Sequence, residues 1–153
     1  MPFKFRLNSV LKHREFLLRQ AQGAFGAATA ARLKIEAELE ELKGQILAES
    51  IEFEDKQRRG IGVDNYRYFK ERLAILEQEL RLCFDKLRKA SELEQIRRQV
   101  MIECDKSVKT LENIETKDRQ MHKLALSREE QKKLDYAAGM LAYRKTTDEG
   151  EKP

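Results

Sequence analysis

The sequence predicts an all-α fold: a long antiparallel two-helix coiled-coil hairpin with a C-terminal helical extension. No proline stands between Pro2 and Pro153, so the residue that breaks helix interiors is missing from almost the whole chain. Charged residues make up 38% of the sequence, and strong helix formers such as Glu, Lys, Arg, Leu and Ala dominate it. Apolar residues also recur at heptad spacing on both sides of a central glycine-rich break.

The first helix is predicted over residues 8–59, from apolar residues that alternate at spacings of four and three. Eleven of 14 such positions are apolar, where the overall hydrophobic share of 41% predicts only about six. The positions are Leu7, Leu11, Arg14, Leu18, Ala21, Phe25, Ala28, Arg32, Ile35, Leu39, Leu42, Ile46, Glu49 and Phe53. A period of 3.5 residues is typical of a left-handed coiled coil.

The break at residues 60–64 is predicted to be a turn. Gly60 and Gly62 end one helix, and Asp64 is a good N-cap for the next. A short connection makes the two helices antiparallel neighbours, so we expect residue i of the first to lie near residue 122−i to 124−i of the second.

The second helix is predicted over residues 65–145. Twelve of its 14 heptad positions are apolar: Tyr66, Phe69, Leu73, Leu76, Leu80, Cys83, Leu87, Ala90, Glu94, Arg97, Met101, Cys104, Val108 and Leu111. The pattern fades at Glu115, Asp118 and His122, so residues 116–145 are interpreted as a helical extension beyond the first helix. Residues 1–145 would then form a single hairpin, and residues 146–153 a disordered tail.

Each helix has one clear apolar seam, which the other helix can cover, so we expect a monomer in isolation. The polar seam residues Arg32, Glu94 and Arg97 fall close together in the predicted pairing. We hypothesise that they form an ion cluster that fixes the register.

Residues suited to catalysis are few. His13 and His122 are interpreted as solvated, and Cys83 and Cys104 as small seam residues that are too far apart to form a disulfide. No metal-ligand, nucleotide-binding or nucleophile motif is present, and a two-helix hairpin offers no enclosed pocket. We therefore expect no enzyme activity, no catalytic residue, no cofactor and no metal.

The charge is distributed unevenly along the chain. The net charge is +4 overall, but residues 1–35 carry +6 (seven bases, one acid) and residues 116–145 carry +4 (eight bases, four acids). Residues 36–65 carry −5 (nine acids, four bases). A basic end favours an acidic protein partner or an anionic membrane surface. Nucleic acid is not expected, because no nucleic-acid-binding motif accompanies the basic residues.

Two motifs resemble the flagellar FliJ family. The N-terminus Phe3-Lys-Phe-Arg-Leu-Asn-Ser-Val-Leu-Lys-His-Arg resembles that family's F-x-F-x-L-x-x-V-L-x-x-R opening. The segment Glu130-Gln-Lys-Lys-Leu-Asp-Tyr-Ala-Ala resembles its E-x-K-x-(L/M)-D-E-x-A signature, with Tyr136 in place of the second acid. In the first helix, Gln45 and Glu49 stand where some members carry aromatic residues.

The resemblance implies a cytoplasmic stalk of the flagellar type III export apparatus, peripheral at the inner membrane. Its implied partners are the hexameric export ATPase, the export-gate membrane protein and export chaperones. The implied ATPase-ring contacts are Phe5, Arg6, Leu7, Leu11, Arg14, Lys132, Leu134 and Asp135. The implied gate contacts are Leu42, Phe69 and Leu76, which also lie on the predicted seam.

Two other functional classes stay open from the sequence. One is the equivalent stalk of a virulence type III secretion system, or another cytoplasmic coiled-coil adaptor. The other is a small chaperone or nucleic-acid-binding hairpin.

Overall fold

The computed structural model describes residues 2–151, which form two α-helices and, within that range, no strand. Helix α1 spans Asn8–Arg59 and helix α2 spans Val63–Gly150. The two long helices pack against each other, which confirms the predicted all-α hairpin. Neither helix contains, among these residues, a stretch long and apolar enough to cross a membrane.

The turn between the helices is shorter than the predicted 60–64. Gly60 has a φ of +93°, the left-handed conformation that ends a helix and that glycine adopts without strain. The backbone N–H of Tyr66 donates to the carbonyl of Gly62 at 3.0 Å, so α2 is already hydrogen-bonded from Gly62 onward. Asp64, predicted as the N-cap, lies instead in the first turn of α2, where its charge favours the helix dipole.

Contacts divide the chain into two compact units. One comprises Met1–Glu15 and Lys106–Pro153, and the other comprises Phe16–Asp105. Both helices contribute to each unit. The single domain expected over residues 1–145 stays a prediction.

The unit of residues 16–105 has the predicted antiparallel seam. Its buried apolar side chains are Ala21, Ala28, Leu39, Phe53, Phe69 and Cys83, and all six are predicted heptad positions. The Phe53 ring lies 5.4 Å from the Phe69 ring, and the Cys83 thiol points to the carbonyl of Ile35 at 3.8 Å. Residues later in α2 contact residues earlier in α1, as an antiparallel pair requires.

The ion cluster at the seam does not contain all three of the residues predicted for it. Arg32 forms an ion pair with Glu94 across the seam, and its guanidinium also contacts Glu36 at 2.6 Å. Hydrogen bonds from Arg32 to Glu94 and then to Glu36 raise the pKa of Arg32. Arg97 is exposed and forms no ion pair among the described residues, so Glu36, one turn after Arg32, is the third member of the cluster.

In the other unit, the seam continues further along α2 than the sequence predicted. Phe5, Leu11 and Val108 are buried there. Glu115, Asp118 and His122 are half-buried at successive heptad positions, although they were expected to mark the end of the seam. From residue 123 to residue 151 every side chain is exposed. We call residues 123–151 the exposed segment.

The end of α2 differs from the predicted tail over residues 146–153. The helix continues to Gly150, and residues 152–153 lie outside the described range. The hydroxyl groups of Thr146 and Thr147 donate to the carbonyl of Tyr143 at 2.8 and 3.1 Å, a common arrangement for threonine within a helix. No proline lies between Pro2 and Pro153, so none terminates the helix earlier.

Candidate partner-binding surfaces

Residues 2–7 precede α1 as an irregular segment that we call the N-terminal strap. Phe5 is buried, with 9% of its surface exposed, and its carbonyl accepts a hydrogen bond from the N–H of Asn8 at 3.2 Å. This bond closes a turn that leads into the first helical residue. The strap is therefore anchored by an apolar side chain at the start of α1.

Phe3 connects the strap to α2. Its ring lies 5.6 Å from the ring of His122, and the guanidinium carbon of Arg119 lies 4.8 Å from its centre. The second distance is within the range of a cation–π interaction. From the sequence, His122 was expected to be solvated and no contact was expected for Phe3. The first aromatic of the F-x-F motif was the available signal for this contact.

The strap carries exposed positive charge. The Arg6 guanidinium lies 4.0 Å from the Asp118 carboxylate, with 78% of the Arg6 side chain exposed. An ion pair this long and this exposed contributes little to stability. Arg14, on the first turns of α1, is also exposed. Both arginines are available to an incoming acidic partner.

The structure separates the ring-contact residues implied by the family resemblance into two groups. Phe5 and Leu11 are buried and Leu7 is half-buried, so these three side chains pack the N-terminal region against α2. Arg6 and Arg14 are exposed. Burial thus gives the apolar members of the motif a structural role and leaves the cations for contact.

The other three implied ring contacts, Lys132, Leu134 and Asp135, lie on the exposed segment. Leu134 is 64% exposed, and the Asp135 carboxylate accepts a hydrogen bond from the Gln131 amide at 3.0 Å. Leu134 and Leu141 are spaced by seven residues and share one helix face, on which Ala137 and Ala138 also lie. No recorded contact joins this face to another part of the described chain.

The gate contacts implied by the resemblance lie in the unit of residues 16–105. Phe69 is 5% exposed and belongs to a cluster of rings beside the turn. The Phe53 ring is 5.5 Å from Tyr66, and the Lys56 ammonium lies 5.0 Å from the centre of Phe69. Phe69 is therefore part of the core. Leu42 and Leu76 are half-buried, so each keeps some surface for contact.

Leu76 borders a shallow surface groove of about 370 Å³ with Tyr68, Arg72 and Ile75. Tyr68 and Ile75 are 56% and 61% exposed. The Arg72 guanidinium donates to the Tyr68 hydroxyl at 3.1 Å and pairs with Glu49 at 2.9 Å. The bond to Tyr68 and the charge of Glu49 raise the pKa of Arg72, so it stays protonated at every physiological pH. The sequence did not identify Tyr68 or Ile75 as surface residues.

The described residues contain no group of three or more His, Cys, Asp or Glu side chains that could hold a metal ion. Cys83 is buried and Cys104 is half-buried, and both are free thiols. The arrangement supports binding through side-chain surfaces, and nothing in it points to a specific reaction.

Comparison with known protein families gives a match over residues 3–147 to the family described as Flagellar FliJ protein. Comparisons with curated proteins and with solved structures give no match. The matched residues include the strap, both helices and nearly all of the exposed segment. FliJ is a structural stalk family and is not known as an enzyme family. The chain belongs to the FliJ family, which makes it a component of the flagellar protein export apparatus.

Proposed function

We propose that the protein is the stalk that binds the hexameric export ATPase through its exposed segment and its N-terminal cations. The observation that carries the proposal is the exposure of every residue from 123 to 150 in a helix that keeps large apolar side chains. Leu134, Leu141 and Tyr143 are 64%, 61% and 66% exposed. Apolar surface left open on one helix face is typical of a binding site.

The energetics of the exposed segment support this proposal. An isolated helix is only marginally stable in water, because most helix stability in proteins comes from packing an apolar face. Leu134 and Leu141 make no such packing contact in the described chain. Burying a leucine fully contributes about 1.5–3 kcal/mol, so a partner that covers this face stabilises the segment as it binds.

The charge distribution supports an acidic docking surface. The exposed cations Arg6 and Arg14 lie on the N-terminal residues, and the region 116–145 carries a net +4 from eight bases and four acids. Complementary charge speeds association and fixes orientation more than it adds affinity. A ring pore lined with carboxylates is a surface of this kind.

A second contact, with the export gate, is proposed at the groove beside the turn. Leu76 supplies part of its wall, and exposed Tyr68 and Ile75 enlarge its apolar area. Leu42 is available only in part, and Phe69 acts from the core by holding α2 in place. Export chaperones are proposed as a third class of partner. The protein is proposed to act in the cytoplasm, associated peripherally with the inner membrane through these partners.

The test mixes the protein with its cognate export ATPase and measures hexamer formation and ATP hydrolysis. Leu134→Asp with Leu141→Asp is expected to abolish the effect, because two charges replace the apolar face. The matched control is Leu47→Asp with Ile51→Asp on α1, where the wild-type side chains are 62% and 59% exposed. If micromolar folded wild-type protein leaves both readouts unchanged, the stalk proposal is wrong.

The role of the cations is tested separately. Charge reversal of Arg6 and Arg14 together is expected to weaken ring binding, more at low than at high salt. Charge reversal of the exposed pair Arg58 and Arg59 beside the turn is the matched control. Unchanged binding by the Arg6 and Arg14 double variant would remove the N-terminal cations from the proposed site.

A further inference from the structure

An apolar surface runs beside the seam in the unit of residues 16–105. Leu17, Ala24 and Val100 line one groove of about 280 Å³. Leu93 and Ile96 precede Val100 by seven and four residues, so they lie on the same side of α2. Leu93, Ile96 and Val100 are 45%, 61% and 46% exposed. These large side chains form the α2 half of a surface that we call the apolar face.

Beyond Leu17, the α1 half of the apolar face consists of small residues. Ala27 and Ala31 follow Ala24 by three and seven residues and share its side of α1. Both are exposed. Small side chains let another helix approach α1 closely. The opposite flank at the same level is mostly polar, with Arg19, Gln22, Glu36, Arg88, Ser91, Gln95 and Arg98.

Two unpaired charges of opposite sign extend the apolar face. Glu38 and Lys86 line a second groove together with Leu82. Glu38 follows Ala31 by seven residues and Lys86 precedes Leu93 by seven, so this groove continues the same flank. Neither Glu38 nor Lys86 forms an ion pair within the described chain.

We propose that the apolar face binds a second copy of this chain, with a two-fold axis parallel to the helices. In that arrangement α2 of each copy packs on α1 of the other. Leu93, Ile96 and Val100 then meet the alanines of the second copy at the same level, with Ile96 over Ala27. Glu38 of each copy meets Lys86 of the other, so two ion pairs form by symmetry.

A second copy is favoured because the face is complementary to itself. It holds large residues on α2 opposite small residues on α1, and Glu38 and Lys86 of opposite sign at matching levels. A two-fold axis parallel to the helices superimposes these features on their complements, while Lys34 and Lys89, seven residues from Ala27 and Ile96, bring like charges to one level. An unrelated partner would have to supply both the size pattern and the charge pattern independently.

Arg97 limits the strength of this contact. It lines the groove with Leu17 and Val100 and has no hydrogen bond or ion pair within the described residues. Two copies bring their Arg97 guanidinium groups near the axis, where the charges repel. We therefore expect association in the micromolar range, tightened by Arg97→Leu. The sequence predicted a monomer because it revealed one seam per helix and not this second stripe.

The experiment is sedimentation equilibrium of the full chain over about 1–300 µM, a range that covers micromolar dissociation constants. The wild type is expected to form dimers reversibly. Ile96→Lys is expected to weaken dimerisation by at least about tenfold, and circular dichroism checks that it keeps its helical content. The matched control is Leu33→Lys, because Leu33 is 52% exposed on the opposite flank. It is expected to leave the dissociation constant unchanged.

Cross-linking tests the orientation. In a Cys104→Ser background, a chain carrying Ala27→Cys is mixed with a chain carrying Ile96→Cys and oxidised mildly. The mixed disulfide is expected to form faster than either symmetric disulfide, because residue 27 of one copy meets residue 96 of the other. Preferred formation of the symmetric Ile96→Cys disulfide would overturn this axis.

Three results would overturn the proposed interface as a whole. The first is a wild-type chain that stays monomeric at the highest concentration. The second is a Leu33→Lys chain that dissociates as readily as Ile96→Lys. The third is dimerisation that Leu134→Lys abolishes and Ile96→Lys does not, which would place the contact on the exposed segment. None of these outcomes depends on whether the protein binds the export ATPase.

Discussion

Helix α2 has two parts that differ in how far their side chains pack against the rest of the chain. Over residues 63–122 it buries or half-buries a side chain at nearly every heptad position, as at Phe69, Cys83 and Val108. Over residues 123–150 the same helix buries none. α2 is helical along its whole length, but tertiary packing is confined to the first part. The second part is therefore where a partner can add the most stability.

The first comparison uses one apolar truncation in each part. Phe69→Ala removes a ring that is 5% exposed and is expected to lower the free energy of unfolding by about 3–5 kcal/mol. Leu134→Ala removes a side chain that is 64% exposed and is expected to change it by about 0.5 kcal/mol or less. Urea denaturation followed by circular dichroism measures both values. Equal losses would mean that the exposed segment is packed in solution.

The second comparison tests the boundary between the two parts. Phe3→Ala removes the ring that contacts His122 and Arg119, and is expected to cost about 1–2 kcal/mol locally. Hydrogen exchange at residues 115–122 should then rise towards the rate of residues 123–145. Phe16→Ala on α1, where the ring is 47% exposed, is the control and should leave exchange at residues 115–122 unchanged. Unchanged exchange in the Phe3→Ala chain would show that the strap does not protect this stretch.

The third comparison uses glycines. Gly139→Ala is expected to stabilise the exposed segment by about 0.5–1 kcal/mol, because alanine is the better helix former and its added methyl group meets nothing within 4 Å. Gly60→Ala also meets nothing within 4 Å but is expected to destabilise, because its φ is +93°. Thermal melts of both variants measure the contrast. A destabilising Gly139→Ala would indicate that this part of α2 is not helical.

The fourth comparison concerns a hydroxyl group beside the seam. The Thr29 hydroxyl is buried without a hydrogen-bond partner in the described chain, and an unmade bond of this kind costs free energy. Thr29→Val keeps the shape and removes the polar group, so a gain of about 0.5–1 kcal/mol in unfolding free energy is expected. Thr110→Val is the control, since that hydroxyl donates to the Lys106 carbonyl at 2.8 Å. No difference between the two variants would contradict the expected cost.

The heptad pattern was sufficient to predict both helices and the seam, because apolar spacing directly records which side of a helix is covered. It did not predict the packing of Glu115, Asp118 and His122. Their cover is the N-terminal strap, which is not helical and has no period to detect. Nor did the sequence show that Phe5 is buried and Arg6 exposed, because the direction of each side chain depends on how the strap packs against α2.

The apolar face was missed for a related reason. Leu93, Ile96 and Val100 lie beside the seam, and a search for one stripe per helix assigns such residues to the surface. The alanines of residues 24–31 appear in the sequence only as a stretch of small residues. Their meaning depends on which α2 residues lie at the same level, and that requires the actual pairing of the two helices.

The central claim is that residues 123–145 lack an internal partner and acquire one from the export ATPase. Hydrogen exchange with mass spectrometry of the full chain, with and without the cognate ATPase, tests it directly. In the free protein we expect fast exchange over 123–145 and slow exchange over 66–90, and strong protection of 123–145 when the ATPase is added. Protection that is already present in the free chain, or a complex that leaves 123–145 unprotected, would contradict the claim.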